Sequence, residues 1–365
     1  MEPETPDTVH RGCEAIRESL VDVVIPVRNG RGYLGEAMES VLQQTMPRFR
    51  LVVVDNNSTD GTRELVRSIA DPRLVVITHV TTLALFENFN YCLSIVKAPF
   101  FCLLHADDRL RPNYLESMVT ALDAEPRADL AVCQIMTIDR CGKVNPDFKY
   151  HLKNLLFLSM RRVIRDGDLS STLLRSFNFM PAPSLLYRRD VLGKFGHFRD
   201  DMLFFSDMEY LDRGLRRGGQ YLVVPRVLFE YRLHGEQETS NLTRNLYKYA
   251  ETLKYFSEVV DENGSVHLQH IRLGGAAAEA RVALVVLWDF MNSEGPGSDL
   301  FRTSLIEYLL KTPILKSCVW LWKMLGKGGA WPRGVRRAIC AGIIVVLLVP
   351  VIVLRLCRRQ LSTPN

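Results

Sequence analysis

Two adjacent carboxylates, Asp107 and Asp108, follow an apolar run at residues 100–104. Such a run is typical of a buried strand, and open α/β sheets hold their ligands at the carboxyl ends of their strands. Charged groups are rarely buried without a partner, and a hard divalent cation that carries phosphate groups is a partner for two carboxylates. The pair therefore predicts a metal–phosphate site. The alternative is a pair of helix-capping aspartates ahead of Arg111 and Pro112.

Other polar groups follow earlier apolar runs in the same way. Residues 26–30 form a turn after the run Val21–Val27, and the backbone groups of this turn can face a flat nucleobase, unless the turn only connects a strand to a helix. Asp55 follows a second run and can accept a hydrogen bond from the imide N–H of uracil. It can also cap the next helix, although Ser58 and Asp60 are better placed for capping.

The elements that must position these groups alternate along the chain. The sequence predicts strands at residues 21–27, 50–54, 74–78 and 100–104, with helices between them. This alternation indicates an α/β fold with a parallel, doubly wound, Rossmann-like sheet, and right-handed crossovers bring the four strand ends to one edge. Further strands are predicted at residues 130–138, 184–187, 221–224 and 228–233, with a surface excursion at 145–170.

Four segments resemble, in order and spacing, the motifs of the family 2 inverting glycosyltransferases. They are residues 24–30, 53–62, 106–108 and 206–209. The resemblance covers about residues 20–240. It implies the GT-A fold, with a mixed, doubly wound sheet, a nucleotide-sugar donor, and Mg²⁺ or Mn²⁺ bridging the diphosphate of that donor.

The resemblance implies roles for residues on the donor side. In the family, the aspartate that matches Asp55 contacts the nucleoside base, and Pro26, Asn29 and Asn57 are further candidates for substrate binding in the same region. The first carboxylate of the family's acidic motif approaches the ribose or the metal, and the last one binds the metal.

By this resemblance, Asp107 is a candidate to bind the substrate and the metal, and Asp108 is a candidate metal ligand. At position 105 an aspartate is frequent in the family, and this chain has His105. We interpret His105 as a structural variant. A metal ligand is the less favoured alternative, because histidine is a softer ligand than Mg²⁺ prefers. A bound cation would stabilise the departing nucleoside diphosphate as a Lewis acid.

The resemblance also implies roles on the acceptor side. Asp207 matches the catalytic base, which removes a proton from the acceptor hydroxyl, and Glu209 is its rival on the same predicted helix. Arg213 matches a basic position of the family, and we expect it to contact the diphosphate or to pair with one of these acids. Arg232 is a candidate phosphate clamp, since its guanidinium suits phosphate geometry. His234, in a closing loop, is a candidate ligand of the metal or the diphosphate.

A basic and apolar tail follows. Residues 311–365 contain ten of the 46 lysines and arginines and none of the 41 aspartates and glutamates, so the first 310 residues carry a net charge of −5. Residues 338–354 lack charges and lie between two groups of three arginines. A spanning helix needs about 20 residues and at least about 17. This stretch is therefore a single spanning helix, a re-entrant or interfacial anchor, or a buried core helix, and the flanking arginines favour a membrane over nucleic acid.

The sequence thus predicts four regions: a flexible lead-in at 1–20, a GT-A domain at 21–240, a helical region at 241–331 and a membrane-anchoring tail at 332–365. The eight cysteines form no regular framework, which indicates reduced thiols in a cytosolic compartment. We expect the protein on the cytoplasmic face of the inner or plasma membrane, held peripherally or by one C-terminal segment.

The predicted function is inverting transfer of a sugar from a nucleotide-sugar, with a uracil base favoured, to a saccharide or lipid-linked saccharide of the cell envelope. A sugar nucleotidyltransferase is the enzyme alternative, but residues 27–32 lack the lysine that its phosphate loop needs. A catalytically inactive, membrane-anchored module that binds nucleotide-sugars is the other alternative. The aspartates at 55, 107, 108 and 207 argue against it.

Overall fold

The computed structural model describes residues 7–10, 19–158, 160, 162–166, 171, 174, 180–235, 251, 254–255 and 258. The chain divides into two compact units, Met1–Gly275 and Ala276–Asn365, and every described residue lies in the first. Within the described part of the chain, no helix has the length and apolar character needed to cross a membrane. The predicted apolar segment at 338–354 and most of the predicted helical region lie outside the described residues.

The described residues contain both strands and helices. The strands are β1 (Asp7–His10), β2 (Val21–Val27), β3 (Phe49–Asp55), β4 (Leu74–Thr78), β5 (Phe100–Leu103), β6 (Arg109–Leu110), β7 (Leu130–Ile138), β8 (Val163–Arg165), β9 (Leu185–Arg188) and β10 (Gln220–Arg232). The helices are α1 (Leu34–Leu42), α2 (Thr62–Ser68), α3 (Leu85–Ser94), α4 (Tyr114–Asp123), α5 (Phe148–Leu158), α6 (Val191–Phe195) and α7 (Ser206–Arg216).

The ten strands form one sheet in the order β1-β4-β3-β2-β5-β9-β7-β10-β6, with β8 paired to β10. Parallel pairs join β2 to β3, β3 to β4, β2 to β5 and β7 to β10. The remaining pairs are antiparallel. The sheet is therefore mixed, and the predicted α/β class is confirmed.

The register brings the polar strand ends to one edge of the sheet. Val27 is opposite Asp55, and Asp55 is opposite Thr78. On the other side of β2, Leu103 at the end of β5 is opposite Val24. The segments that follow β2, β3 and β5 therefore leave the sheet in the same direction, as the crossover rule predicts.

Three parts of the fold differ from the sequence-based expectation. Residues 220–232 form one strand rather than two, because a register shift between Val224 and Val227 accommodates Pro225, which cannot donate to the ladder. The expected surface excursion contains α5 and β8, and Asn154 on α5 donates a hydrogen bond of 2.7 Å to the Ile135 carbonyl on β7. Residues 7–10 of the expected lead-in pair with β4.

A buried ion pair ties the sheet together near the start of β2 and β3. Arg50 donates from Nε and Nη2 to the two carboxylate oxygens of Asp22, at 2.9 and 2.7 Å. The same carboxylate accepts the backbone N–H groups of Lys97 and Ala98, at 2.7 and 3.0 Å. This pair lies at the edge opposite the polar strand ends, so its role is in folding.

Candidate active site

The loops after β2 and β3 are joined directly to each other. The Asn29 N–H donates to Ser58 Oγ at 2.8 Å, and Asn29 Oδ1 accepts the Thr59 N–H at 2.9 Å. The Gly30 N–H donates to Thr62 Oγ1 at 3.0 Å. Asn29 has a φ of 53°, a left-handed conformation that asparagine tolerates. The polar groups of Asn29 therefore shape the pocket, and the prediction that they contact substrate stays a prediction.

Asp55 is buried at the end of β3 and is held by an arginine that the sequence-based reasoning missed. Asp55 Oδ2 accepts Nε of Arg63 at 2.8 Å, and Asp55 Oδ1 accepts the Ser58 N–H at 3.1 Å. Nη2 of Arg63 donates to Asn57 Oδ1 at 2.8 Å. The arginine thus fixes two of the predicted base-contacting side chains in one orientation, while the Pro26 side chain on β2 is partly exposed beside them.

His105, Asp107 and Asp108 form one cluster after β5. One ligand atom from each of the three lies within 4.8 Å of the others. Asp108 is fully buried and its Oδ2 has no hydrogen-bond partner, whereas its Oδ1 accepts the Arg232 N–H at 2.8 Å. The ring of His105 therefore lies with the two carboxylates, and both interpretations of His105, as a structural variant and as a metal ligand, stay predictions.

The two aspartates have opposite electrostatic environments. Burial, and then the charge of Asp107, raise the pKa of Asp108 well above its ordinary value. Burial also opposes ionisation of Asp107, but its hydrogen bond with His234 and the electrostatic effect of His105 outweigh burial and lower the pKa of Asp107. Burial lowers the pKa of His105, which keeps the imidazole neutral and able to bind a metal.

This cluster fits a divalent cation. Two ligands on opposite sides of one cation lie about 4–5 Å apart, given bond lengths of about 2.0–2.6 Å. The three ligand atoms are within that separation, and the unpartnered buried oxygen of Asp108 is the group that most needs a cation. Asp107, Asp108 and His105 would hold the ion.

His234 lies beside the cluster, as the sequence predicts. Its Nε2 is 3.0 Å from Oδ2 of Asp107. The His234 ring packs against Tyr33, with the ring centroids 4.7 Å apart. The structure thus brings the end of β10 to the acidic motif. Direct ligation of a metal or diphosphate by His234 remains a prediction.

Arg232 has a different environment from the one expected for a phosphate clamp. Its side chain is fully buried, and Nε donates to the Asp107 carbonyl at 2.7 Å. Nη1 contacts the carbonyls of Asp139 and Arg140 at 3.2 and 3.3 Å, and Nη2 donates to Glu36 at 2.7 Å. All three guanidinium nitrogens have protein acceptors, so this geometry favours a role in positioning the acidic motif.

The two candidate bases on α7, Asp207 and Glu209, have different environments. Glu209 is buried and accepts two hydrogen bonds of 2.8 Å from Nε and Nη2 of Arg213. Arg213 also donates to the backbone carbonyls of Phe195 and His197. Asp207 is only partly buried, in the first turn of α7. The salt-bridge alternative for Arg213 is therefore the one observed. Asp207 is the more exposed of the two acids, and its role as the base stays a prediction.

Aromatic side chains connect the acidic motif to α7. The ring of Phe89 on α3 lies edge-on to His105, with centroids 5.9 Å apart, and contacts Phe198 at 6.0 Å. Phe198 stacks on Tyr210 of α7 at 4.4 Å. Asn90 hydrogen-bonds both the N–H and the carbonyl of Phe198, at 2.8 and 2.9 Å. Helix α3 thus orients the loop that precedes Asp207.

A polar cavity of about 350 Å³ lies on another face of α7. Its lining includes Glu209, Arg213 and Arg216 from α7, and Tyr255 and Glu258 from a helical segment further along the chain. Both arginines pair with a carboxylate on α7: Arg213 with Glu209, and Arg216 with Asp212, whose Oδ2 lies 3.2 Å from Arg216 Nε. The charges along this wall are therefore largely compensated.

Sequence-based reasoning missed the residues that hold the site from outside it. Three such residues are Glu36, Arg63 and Glu251. Glu36 accepts a hydrogen bond from Arg232, Arg63 donates one to Asp55, and Glu251 accepts the backbone N–H of Phe204, three residues before Asp207. Arg63 alone gave a local signal, because it stands at the start of α2, eight residues after Asp55. The other two carry no periodicity or motif that marks them.

Comparison with known proteins agrees with this architecture. Residues 22–196 match the family described as Glycosyl transferase family 2. An uncharacterized glycosyltransferase of Rickettsia typhi is 27% identical over 68% of this chain and 76% of its own length. The putative glycosyltransferase EpsE of Bacillus subtilis is 27% identical over 33% of this chain and 45% of its own length. The putative teichuronic acid biosynthesis glycosyltransferase TuaG of the same organism is 29% identical over 27% of this chain and 40% of its own length.

Solved structures share the fold at low sequence identity. S. aureus TarS in complex with UDP-GlcNAc has a TM-score of 0.56 and 16% identity, over 80% of this chain and 79% of TarS 1–349. The mannosyltransferase PcManGT of Pyrobaculum calidifontis, in complex with GDP-Man and Mn²⁺, has a TM-score of 0.53 and 16% identity, over 87% of this chain and 86% of its own. Because the family match covers the acidic motif and both donor-side loops, residues 22–196 form a family 2 glycosyltransferase domain, and the solved structures show that its fold is of the GT-A type.

Proposed function

We propose that this glycosyltransferase moves one sugar from a nucleotide-sugar, with UDP favoured, to a hydroxyl of a cell-envelope saccharide or glycolipid, with inversion at the sugar carbon. The observation that carries the proposal is the buried, unpartnered Asp108 oxygen in a cluster with Asp107 and His105. Such a cluster suits a cation that binds a diphosphate. Mg²⁺ and Mn²⁺ are the ions proposed, because both accept carboxylate and diphosphate oxygens.

The donor end of the proposal rests on the loops after β2 and β3. The Asp55 carboxylate is held rigidly by Arg63 and Ser58, and it retains acceptor capacity for a base imide. A guanine base presents a similar N–H, so Asp55 alone does not distinguish the bases. The UDP-GlcNAc complex of TarS, which shares the fold, supports UDP as the first donor to test.

The chemical step is a single displacement. The acceptor oxygen attacks C1 of the sugar, the bond between C1 and the diphosphate oxygen breaks, and the electron pair of that bond leaves with the nucleoside diphosphate. Asp207 accepts the proton of the acceptor hydroxyl as the new bond forms. A divalent cation bound at the acidic motif would supply Lewis-acid stabilisation of the leaving diphosphate. Arg232 and Glu36 keep the motif in place.

The test is a panel of nucleotide-sugars with Mn²⁺ or Mg²⁺, read as nucleoside diphosphate release in the presence of acceptor. We expect Asp207→Asn to lower kcat by about 10²- to 10⁴-fold, with UDP affinity unchanged. Glu209→Gln tests the rival base, and Asp200→Asn, an exposed acid in the loop ahead of α7, is the matched control. Equal release by Asp207→Asn and the wild type would remove Asp207 as the base.

The acceptor and the membrane are separate parts of the proposal. EpsE and TuaG, the latter named for teichuronic acid biosynthesis, support an acceptor of the cell surface. The arginines around residues 338–354 support attachment to the cytoplasmic face of the membrane. Flotation of the full chain with anionic and with neutral vesicles tests the attachment. Absence of binding to both kinds of vesicle would contradict it.

A further inference from the structure

A single carboxylate holds the backbone in front of α7. Glu251 accepts the backbone N–H groups of three successive residues: Leu203 at 2.8 Å, Phe204 at 2.7 Å and Phe205 at 3.0 Å. Phe205 precedes the first residue of α7, and Asp207 is the second residue of that helix. Glu251, 46 to 48 positions further along the chain, therefore contacts the residues that lead into the first turn of α7, where the proposed base lies.

The segment that contains Glu251 uses one helix face for this contact. Glu251, Lys254, Tyr255 and Glu258 are all helical, and spacings of three, four and seven residues place them on the same side. Lys254 Nζ lies 2.9 Å from Asp201, and Glu258 lies 2.8 Å from Arg199. The three charged residues of this face thus all bind the loop before α7.

Tyr255 completes the contact from the same face. Its ring packs against Phe205, with centroids 5.2 Å apart, and its hydroxyl bonds to the Asp212 carboxylate on α7. Tyr255 is also 1% exposed. Among the described residues of this face, Tyr255 provides the aromatic contact and the other three provide polar contacts to α7 and the loop before it.

Glu251 differs from its neighbours because it binds backbone rather than side chains. Amide groups before a helix have no partner within that helix, and a carboxylate that accepts three of them fixes the path of the chain. The position of the Asp207 side chain depends on that path, since its own Oδ1 accepts the Met208 N–H at 2.6 Å. We infer that Glu251 is a positioning residue for Asp207, an inference that rests on the proposed role of Asp207.

The experiment compares three variants of the full chain: Glu251→Ala, Glu251→Gln and, as the matched control, Glu258→Gln. Glu258 docks the same helix face, but through the Arg199 side chain. A displacement of about 1 Å can lower turnover about 10²-fold. We expect kcat to fall about 10- to 100-fold in Glu251→Ala and less in Glu251→Gln, which keeps one acceptor oxygen. The acceptor KM and the UDP affinity should stay within about twofold of wild type.

Hydrogen exchange gives a readout that does not depend on activity. The amides of residues 203–205 should exchange at least about tenfold faster in Glu251→Gln than in the wild type, while Glu258→Gln leaves them protected. This measurement and the Gln variant keep the inference testable if Glu251→Ala does not fold. Unchanged exchange in Glu251→Gln would overturn it.

The outcomes also separate this inference from the proposed function. Wild-type kcat in Glu251→Ala together with an inactive Asp207→Asn would overturn positioning by Glu251 and leave Asp207 as the base. Wild-type kcat in Asp207→Asn would remove the base assignment, and the inference would fall with it. An equal loss of kcat in Glu251→Gln and Glu258→Gln would reduce Glu251 to one of several docking contacts and would also contradict the inference.

Discussion

Replacement of Arg232 by methionine separates two roles for this residue. The structure gives the guanidinium four acceptors, which are the Glu36 carboxylate and the backbone carbonyls of Asp107, Asp139 and Arg140. Methionine keeps the length of the apolar stem and removes every donor. If Arg232 positions the acidic motif, Arg232→Met loosens the turn at Asp107. If it clamps a phosphate, the variant mainly weakens donor binding.

The magnitude follows from burial and hydrogen-bond count. Hydrogen bonds that involve a charged group contribute about 1.5–3 kcal/mol each, and desolvation of a buried guanidinium offsets several kcal/mol of their sum. Because three backbone carbonyls lose their donor in a fully buried place, we expect a net loss of about 3–5 kcal/mol in the free energy of unfolding. For a domain of this size that lowers Tm by about 6–20 °C.

The assays are urea unfolding and Mn²⁺ binding by calorimetry. Removal of a group that orients metal ligands commonly weakens the metal by about 10- to 100-fold, so Arg232→Met should lose Mn²⁺ affinity to that extent. Arg109→Met is the control, since Arg109 also contacts Glu36 and the same loop, at Gly142, but is 26% exposed. An Arg232→Met protein with wild-type stability and Mn²⁺ affinity, and a donor KM raised tenfold or more, would refute positioning.

Three further predictions concern other buried carboxylates. Asp22→Ala should lower the free energy of unfolding by about 3–5 kcal/mol, because Arg50 stays buried without its partner, and calorimetry should find UDP affinity unchanged. Asp55→Asn should weaken UDP binding about tenfold, or about 1.4 kcal/mol, because it changes both the base contact and the pair with Arg63. Asp108→Asn should abolish the rise in Tm that Mn²⁺ produces. In the metal-free wild type, the free energy of unfolding should fall as pH rises from the ordinary carboxyl pKa to the raised pKa of folded Asp108, since over that range the folded state binds more protons than the unfolded state. Asp108→Asn should remove this fall. Thermal unfolding from pH 4 to 8 with a chelator measures this change.

Sequence patterns predicted the parts of the fold that local sequence encodes. The bounds of β2, β4 and β7 agree with the predicted runs, because a strand buried on both faces is mostly apolar. The prediction of two strands in place of β10 was wrong. A proline ends a strand only where the ladder cannot shift its register, and here the register shifts at Pro225. Strand boundaries were therefore accurate where burial alone decides them.

The candidate site was predictable as a set of residue types at strand ends. The acidic motif and His234 meet as expected, since parallel strands and β10 share that edge. The partner of Arg232 was not predictable, because Glu36 lies 196 positions away and no local pattern links the two. A guanidinium at the end of a strand suits a phosphate and a set of carbonyls equally well, and only the tertiary structure decides between them.

The adjacent aspartates explain why such a distant support is needed. The hydrogen bond with His234 outweighs burial and lowers the pKa of Asp107, whereas burial and the charge of Asp107 raise the pKa of Asp108 and favour its neutral form. Two neighbouring carboxyl groups with displaced pKa values are typical of sites that bind or move charge. Without a cation this arrangement disfavours the folded state, so other contacts must hold the turn together. Arg232 supplies them through its own N–H to Asp108 and its Nε to the Asp107 carbonyl. The motif is therefore preorganised by a buried arginine, and a cation bound there would add to stability without having to build the site.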